Sequence, residues 1–442
     1  MLQYILALLT ILVFMVLFFR KPQVGTYVLY VLTVLPLMNA KILPLNYGFV
    51  KTFDVITIVA FIFLFKEFLT FRRKIHYKTY LILGSLFCSI TLISGVYSEF
   101  GFTNYYNYYP IFSIFIFVRF VFIFCREKLN RWKVLDAFKM AYMVALVFMA
   151  LQLVFGHQIT LYSDVGLNVF DEDAGITRYQ GIFGDSQFNG QFLGMGSFIF
   201  LILKNKISLK NRYLNYLGFA VSIICLLLAG SRSAVGGFLV GLLFLFILSN
   251  LRVKIYSITV GLVAIAALYL IAPDNAIFAR ADNLGNDFDF RQSIWEETYG
   301  MIEENTILGV GLGNFQDYTT KYSQDLYLEL SPAVFTYFTQ PENGYLKILV
   351  EHGVVVFVIF GMFFMLPFFK IAQHIFSQSV SPNALYLVAA LGSWLTAFNT
   401  VYSLSDYRIL LTVALFLFYL IVVFSENSRI SNNELQKKYF PK

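Results

Sequence analysis

The sequence predicts an all-α integral membrane protein: a polytopic bundle of about twelve or thirteen transmembrane helices with one large extracytoplasmic loop near residues 273–343. Three observations carry that expectation. Hydrophobic residues make up 58% of the 442 and charged residues 13%, against about 25% charged in an ordinary soluble domain. Mean hydropathy is +0.70, and the remaining charges sit between long apolar runs, as in spans joined by short polar loops. The basic residues are also divided unevenly between alternate loops.

The candidate spans lie near 2–19, 24–44, 52–66, 79–97, 109–125, 135–155, 188–203, 213–229, 234–249, 255–272, 344–369, 384–402 and 409–424. Each approaches the length needed to cross about 30 Å of hydrocarbon at about 1.5 Å per residue. The second carries Pro36 and Pro44, and the third is short. The first run lacks a basic leader and a small-residue cleavage site, and Arg20-Lys21 follow it, so it reads as a retained span. When the loops are assigned alternately, one set holds 22 Lys and Arg, from Arg20-Lys21 to Lys437-Lys438 and Lys442, while the other holds nine. The richer set is cytoplasmic by the positive-inside rule. The N-terminus is then extracytoplasmic and the C-terminus cytoplasmic.

No internal repeat or linker divides the chain, so residues 1–442 read as a single membrane domain with 273–343 embedded in it. Within that loop, Phe290, Ile294, Trp295, Thr298, Met301 and Ile302 recur at three- and four-residue spacing, the pattern of an amphipathic helix against the bundle. Gly309, Gly311 and Gly313 then break any helix. They are no nucleotide fingerprint, because no strand precedes them. The net charge of +7 lies at span ends, which argues against nucleic-acid binding. Cys88, Cys125 and Cys225 fall inside apolar runs and read as small hydrophobes. No metal-ligand cluster and no Ser/His/Asp arrangement stands out, so neither metal nor cofactor is expected.

The poorer face is informative for what it keeps. Arg178, Arg232, Arg280, Arg291 and Arg408 fall there, with Lys41, Lys51, Lys321 and Lys347. Arg232 sits in Gly230-Ser231-Arg232-Ser233-Ala234, a reversal between two spans. A guanidinium matches phosphate oxygens, and the amides opening the next helix add a positive dipole end. Snorkelling, or pairing with a loop carboxylate, is the plainer reading. Arg291 is flanked by Asp287, Asp289, Glu296 and Glu297, so surface ion pairing competes with ligand binding there. Gln340-Pro341-Glu342-Asn343-Gly344 precedes the eleventh span. Glu342 fits a general base with a raised pKa, a helix cap or an arginine partner. Glu351-His352 lie two turns into that span, where an ionisable pair is a functional candidate, although His352 also fits a satisfied packing residue.

Taken in order, these pieces resemble the bacterial O-antigen ligase and polysaccharide polymerase superfamily. The matching segments are Arg178-Tyr179-Gln180-Gly181-Ile182-Phe183-Gly184-Asp185, Ser231-Arg232-Ser233-Ala234, Arg291 with Trp295, Ile307 to Phe315, and Glu342-Asn343-Gly344-Tyr345-Leu346 with Glu351 and Gly353 beyond. They cover about residues 178–360. The resemblance implies a GT-C-like membrane glycosyltransferase of the bacterial cytoplasmic (inner) membrane. Such enzymes transfer glycan from undecaprenyl diphosphate, ligases to lipid A–core and polymerases to a lipid-linked repeat unit. For this chain it implies Glu342, Arg232 and Arg291 as catalytic, with Arg178, Arg280, Asn343 and Arg408 joining the two arginines in binding substrate. The last motif of ligases usually begins His-Asn, whereas Glu342-Asn343 stand here, which favours a polymerase of O-antigen, capsule or exopolysaccharide. Expected partners are the lipid-linked oligosaccharide, the bilayer, a chain-length regulator and a flippase. The competing readings are a flippase or other transporter, a peptidoglycan glycosyltransferase of the shape–elongation–division type, and a structural subunit.

Overall fold

A computed structural model describes residues 2–45, 48–70, 78–102, 104–161, 170–171, 176–204, 208–248, 284–322, 327–331, 334–338, 340–376 and 382–421, with scattered positions between 251 and 270. The candidate span 255–272 therefore lies largely outside the described residues, and Arg280 lies wholly outside them.

The chain opens with α1 (Leu2–Arg20) and α2 (Val24–Thr33). The expected span 24–44 is not one helix. Pro36 lies in a 3-10 turn, Leu35–Leu37, after α2 has ended, and β1 (Lys41–Leu45) then pairs antiparallel with β2 (Gly48–Lys51). Proline removes a helical donor and forces the stop. The third span is split into α3 (Thr52–Phe63) and α4 (Phe65–Leu69). Next come α5 (Lys78–Tyr97), α6 (Tyr109–Phe124) with Pro110 in its first turn, and α7 (Lys128–Phe155). A short pair, β3 (Phe170–Asp171) and β4 (Ile176–Thr177), leads to α8 (Ser186–Ser197), then α9 (Leu209–Leu228) and α10 (Arg232–Leu248).

Among the described residues six helices are long and apolar enough to cross a membrane: α1, α5, α6, α7, α9 and a later one over Gly344–Gln373. Five further apolar helices among the described residues are shorter. Ten to twelve residues reach only about 15–18 Å, so α2 and α3 span a bilayer only together with the segments that continue them.

The segment expected as a loop folds into α11 (Leu284–Glu304), α12 (Phe315–Tyr322) and a hairpin of β5 (Tyr327–Ser331) with β6 (Val334–Tyr337). α11 is amphipathic as the spacing predicts. Ile294, Thr298 and Met301 are buried, and Ile294 and Met301 pack with Val310, Phe315, Tyr318 and Val350. The chain closes with α13 (Gly344–Phe376), α14 (Pro382–Phe398) and α15 (Tyr407–Ile421). One apolar cluster runs from Phe14 to Leu420, with Trp394 at 0% exposure inside it.

Two backbone contacts position everything that follows. α10 and α14 meet through glycines: a Cβ on Gly237 would stand 2.2 Å from the Ser393 carbonyl oxygen, and one on Gly241 2.6 Å from that of Ala389. This is the small-residue, four-residue spacing by which membrane helices approach closely.

The second contact explains the glycine run. α13 is broken at Gly353 (φ 76°, ψ 175°). In an intact helix the Val350 and Glu351 carbonyls would accept from residues four further on. Instead Val350 O accepts from Val310 N (2.9 Å), Glu351 O from Gly311 N (3.0 Å), and Val354 N donates to Thr306 O (2.9 Å). The 306–311 segment thus clasps the break and satisfies backbone groups that cannot be left unpaired inside a bundle. The approach leaves no room for side chains. A Cβ on Gly353 would meet the Ile307 oxygen at 2.1 Å, and one on Gly309 the Glu351 carbonyl carbon at 2.5 Å. Ser94 of α5 and Ser98 just past its end hold the same segment by donating to Leu308 O and Val310 O.

Candidate functional site

The α11–β6 segment and the β1–β2 hairpin lie at the same end of the bundle, here termed the loop-bearing end. Glu342 stands there in front of α13. Its φ of 47° makes it the one non-glycine residue with positive φ among the described residues, a conformation that costs about 1–3 kcal/mol and persists only when neighbours enforce it. They do so from both sides. Trp295 Nε1 donates to Pro341 O (3.0 Å). The Asn343 carboxamide oxygen accepts from Tyr345 N (2.9 Å) and Leu346 N (3.2 Å), while its nitrogen donates to Asn399 Oδ1 (3.0 Å). Asn343 is therefore the N-cap of α13, tied to the end of α14, which is the physical reason for an Asn before the apolar run.

Arg291 Nη2 lies 4.0 Å from Glu342 Oε2, with side chains 32% and 24% exposed. A direct charge-assisted hydrogen bond is about 2.7–2.9 Å, so the two are Coulomb partners across a gap. Burial pushes the Glu342 carboxyl above the ordinary carboxylate range. Arg291 opposes that shift, Asp185 adds to it by like-charge repulsion, and a hydrogen bond with Gln340 opposes it.

Asp185 brings in α8. Its carboxylate caps that helix, accepting from Gln187 N (2.6 Å) and Phe188 N (3.3 Å). α8 packs on the start of α10 so tightly that a Cβ on Gly190 would stand 2.7 Å from Ser231 Cβ. Arg232 is the first residue of α10 and half-buried, with the Ser231 hydroxyl accepting from Ala234 N (3.4 Å) as the helix cap. Arg178 is buried, and Tyr179 N donates to Leu228 O (3.4 Å) at the end of α9, just ahead of the turn that carries Arg232. Contacts through α8 thus link the surroundings of Arg178, Arg232, Arg291 and Glu342.

Arg408 is placed differently. It is 2% exposed, bonds Asp406 through Nε (2.9 Å) and Nη2, donates from Nη1 to Ile182 O, and lies 4.0 Å over the Phe183 ring. Its guanidinium is thereby tied to the 178–185 segment. His352 is a buried packing residue. Its Nδ1 is 3.2 Å from Thr91 Oγ1 and its ring packs on Phe87. Glu351 is 1% exposed and ion-paired with Lys347 at 2.8 Å.

Two features escaped sequence reasoning. Asp185 is the carboxylate that faces Glu342; its signal was an acid-serine pair opening a helix. α8 was read as a plain span, yet it carries buried Ser186, Asn189 and Gln191. Ser186 Oγ, Asn189 Oδ1 and Gln191 Oε1, with Gln180 Oε1 just before, find no hydrogen-bond partner among the described residues. Polar side chains at this density inside an apolar bundle are expensive and mark function. Among the described residues no group of three or more His, Cys, Asp or Glu is placed to hold a metal ion.

Residues 217–361 match the family model described as O-antigen ligase, about a third of the chain, and an O-antigen ligase-type domain is present over that stretch. The match encloses Arg232, Arg291, the glycine clasp and Glu342–Glu351; the 178–185 segment lies outside it. No curated protein matches the chain. The family supports a glycosyltransferase-like role in polysaccharide biosynthesis, carried by a multi-pass membrane protein.

Proposed function

We propose that this chain is a polysaccharide polymerase that transfers a growing glycan from undecaprenyl diphosphate to a lipid-linked repeat unit, at the outer face of a bacterial cytoplasmic membrane. The observation that carries the reading is Glu342, a desolvated carboxylate locked at positive φ beside Arg291. In this reading the loop-bearing end is extracytoplasmic, the N-terminus is outside, the C-terminus is cytoplasmic, and the crossings number twelve or thirteen in one GT-C-like domain.

Glu342 takes the proton of the acceptor hydroxyl while that oxygen attacks C1 of the donor sugar. The C1–oxygen bond breaks, and the diphosphate leaves with the electron pair. Arg291 and Arg232, with the amides opening α10, stabilise the charge that grows on the leaving diphosphate, where binding energy raises the rate. Arg178 supports the same anion. Asn343 acts by fixing Glu342, and Arg408 by bracing the segment that ends at Asp185; both are positioning residues. A chain-length regulator and a flippase are the partners such an enzyme needs.

The second reading, a ligase transferring glycan to lipid A–core, is favoured by the description of the matching family. Glu342 where ligases carry histidine favours the polymerase. The test is deletion in the native host complemented with Arg232→Ala, Arg291→Ala or Glu342→Gln, followed by electrophoresis of the polysaccharide. Single repeat units on the acceptor at normal expression are expected for a polymerase, and unattached full-length polymer for a ligase. Accumulation of lipid-linked repeat on the cytoplasmic side would establish a flippase instead. Unchanged ladders in all three variants would sink the catalytic assignment.

A further inference from the structure

A cavity of about 1550 Å³ runs between α5, α6, α13 and α15. Drug-sized ligands fill about 300–1,000 Å³, so the cavity has room for a larger one. Its wall is apolar along most of its length, with Ile114, Phe122, Phe363 and Ala414 in it. Along α6 the lining extends from Pro110 to Phe122, roughly 18 Å, and along α15 from Tyr407 to Ile421, roughly 21 Å. One leaflet of the hydrocarbon core is only about 15 Å deep, half of about 30 Å. An acyl chain of an ordinary phospholipid stops at the midplane, so a groove of this length accommodates a longer chain.

Charge appears in the wall at both ends, Arg119 and Arg126 at the far end and Lys51, Asp54, Lys347 and Glu351 at the loop-bearing end. Lys347 lines the mouth, held by Glu351 at 2.8 Å and lying 5.6 Å from the centroid of the Tyr402 ring. Lys51 lines it as well, donating to Ser405 O (3.1 Å) and lying 5.1 Å from the Tyr407 ring centroid. The lining also includes Gln340, two residues before Glu342, and Phe188, three after Asp185. The groove therefore opens beside the candidate site but carries two lysines of its own, separate from Arg232 and Arg291.

We propose that this groove is a second lipid-phosphate site, which seats the isoprenoid chain of the acceptor substrate with its phosphate at Lys51 and Lys347. The proposal rests on the reading above, in which both substrates are lipid-linked. It places the acceptor sugar at Glu342 from the α13 side and the donor diphosphate at the arginines. A chain longer than one leaflet selects a polyprenyl lipid over a glycerophospholipid, and the lysines select an anionic head.

Native mass spectrometry of the full chain in detergent, with undecaprenyl phosphate and excess phosphatidylglycerol, tests it. Wild type is expected to retain undecaprenyl phosphate against the competitor. Ala414→Trp, which fills the groove, and the charge-neutral pair Lys347→Gln with Glu351→Gln, which removes the cation without stranding a buried carboxylate, are each expected to weaken that binding at least about tenfold. Unaltered thermal melting of Ala414→Trp separates lost binding from lost fold; Ile114→Trp on the facing helix serves if it melts early. Unchanged affinity in the folded variants, or equal retention of phosphatidylglycerol, overturns the proposal. The two readings fail separately. Wild-type ladders in the Arg232, Arg291 and Glu342 variants defeat the transfer reading and leave the binding result standing. Groove variants that bind normally while those three lose activity defeat the groove alone.

Discussion

At the scale of the residue, Glu342 is held in a conformation and an environment that both work against a free carboxylate. Its pKa is raised, so the folded state binds the proton more tightly than the unfolded chain. The sign follows: stability is lost as pH rises from the ordinary carboxylate range, about 4.3, through the elevated value. At neutral pH Glu342→Gln is expected to raise the melting temperature while cutting glycan transfer by about 10²–10⁴-fold. Differential scanning fluorimetry and the polysaccharide ladder check the two halves, and a Gln variant that melts lower would contradict the burial of charge. Transfer by the wild type is expected to fall as pH drops through that raised pKa, with the acid limb absent from the residual activity of the Gln variant. Glu342→Gly probes the backbone. It relieves a strain of about 1–3 kcal/mol, so a folded, inactive protein is expected, with hydrogen exchange at 341–346 reporting any loosening. The identity and order of these residues were plain in the sequence. That Glu342 faces Arg291 and Asp185 together was not, because the three lie far apart along the chain and no local rule pairs them.

At the scale of the element, α13 and its clasp are the most informative. The run from Gly309 to Gly313 was legible as a helix breaker, but its use was hidden, since the partner of Gly309 is the backbone of Glu351 in another helix. Gly353→Ala is expected to lower stability by at least about 1–3 kcal/mol, because the new Cβ meets a carbonyl oxygen at 2.1 Å and φ is 76°. Yield and melting temperature in detergent measure it; a wild-type melt would show that the clasp does not form. Gly237→Leu is expected to force α10 from α14 and to impair transfer through Arg232, even though the substitution lies more than a turn away. Helix breaks also account for the spans that sequence reading drew too long. An apolar window averages over a proline at position 36 and a break at Leu64 that a hydrogen-bonded helix cannot ignore.

At the scale of the whole molecule, one apolar core joins the first helix to the last, and charged networks pin its loop-bearing end. Asp406 accepts from Asn39 (3.1 Å) and bonds Arg408, which reaches Ile182, so that α15, the hairpin region and the 178–185 segment are tied together. Arg408→Ala leaves Asp406 buried without its cation, and a cost of about 3–5 kcal/mol is expected. Pairing it with Asp406→Asn is expected to recover most of that loss. Recovery of the melting temperature without recovery of transfer would make Arg408 a ligand residue rather than a brace.

Composition and charge asymmetry by themselves determined a polytopic helical membrane protein, because hydrocarbon tolerates few charges and the basic residues collect at span ends. Local spacing also determined the amphipathic α11 and the order of the arginine and Glu342 motifs, since helical periodicity and capping are short-range properties. The tertiary structure alone decided which of those residues meet. It set Arg408 against Asp406 and Ile182 and Asn343 at the start of α13, turned the glycines into a clasp, and opened the groove beside α13. Each depends on contacts between segments distant in sequence, where close packing and the need to pair buried polar groups act without leaving a local signature.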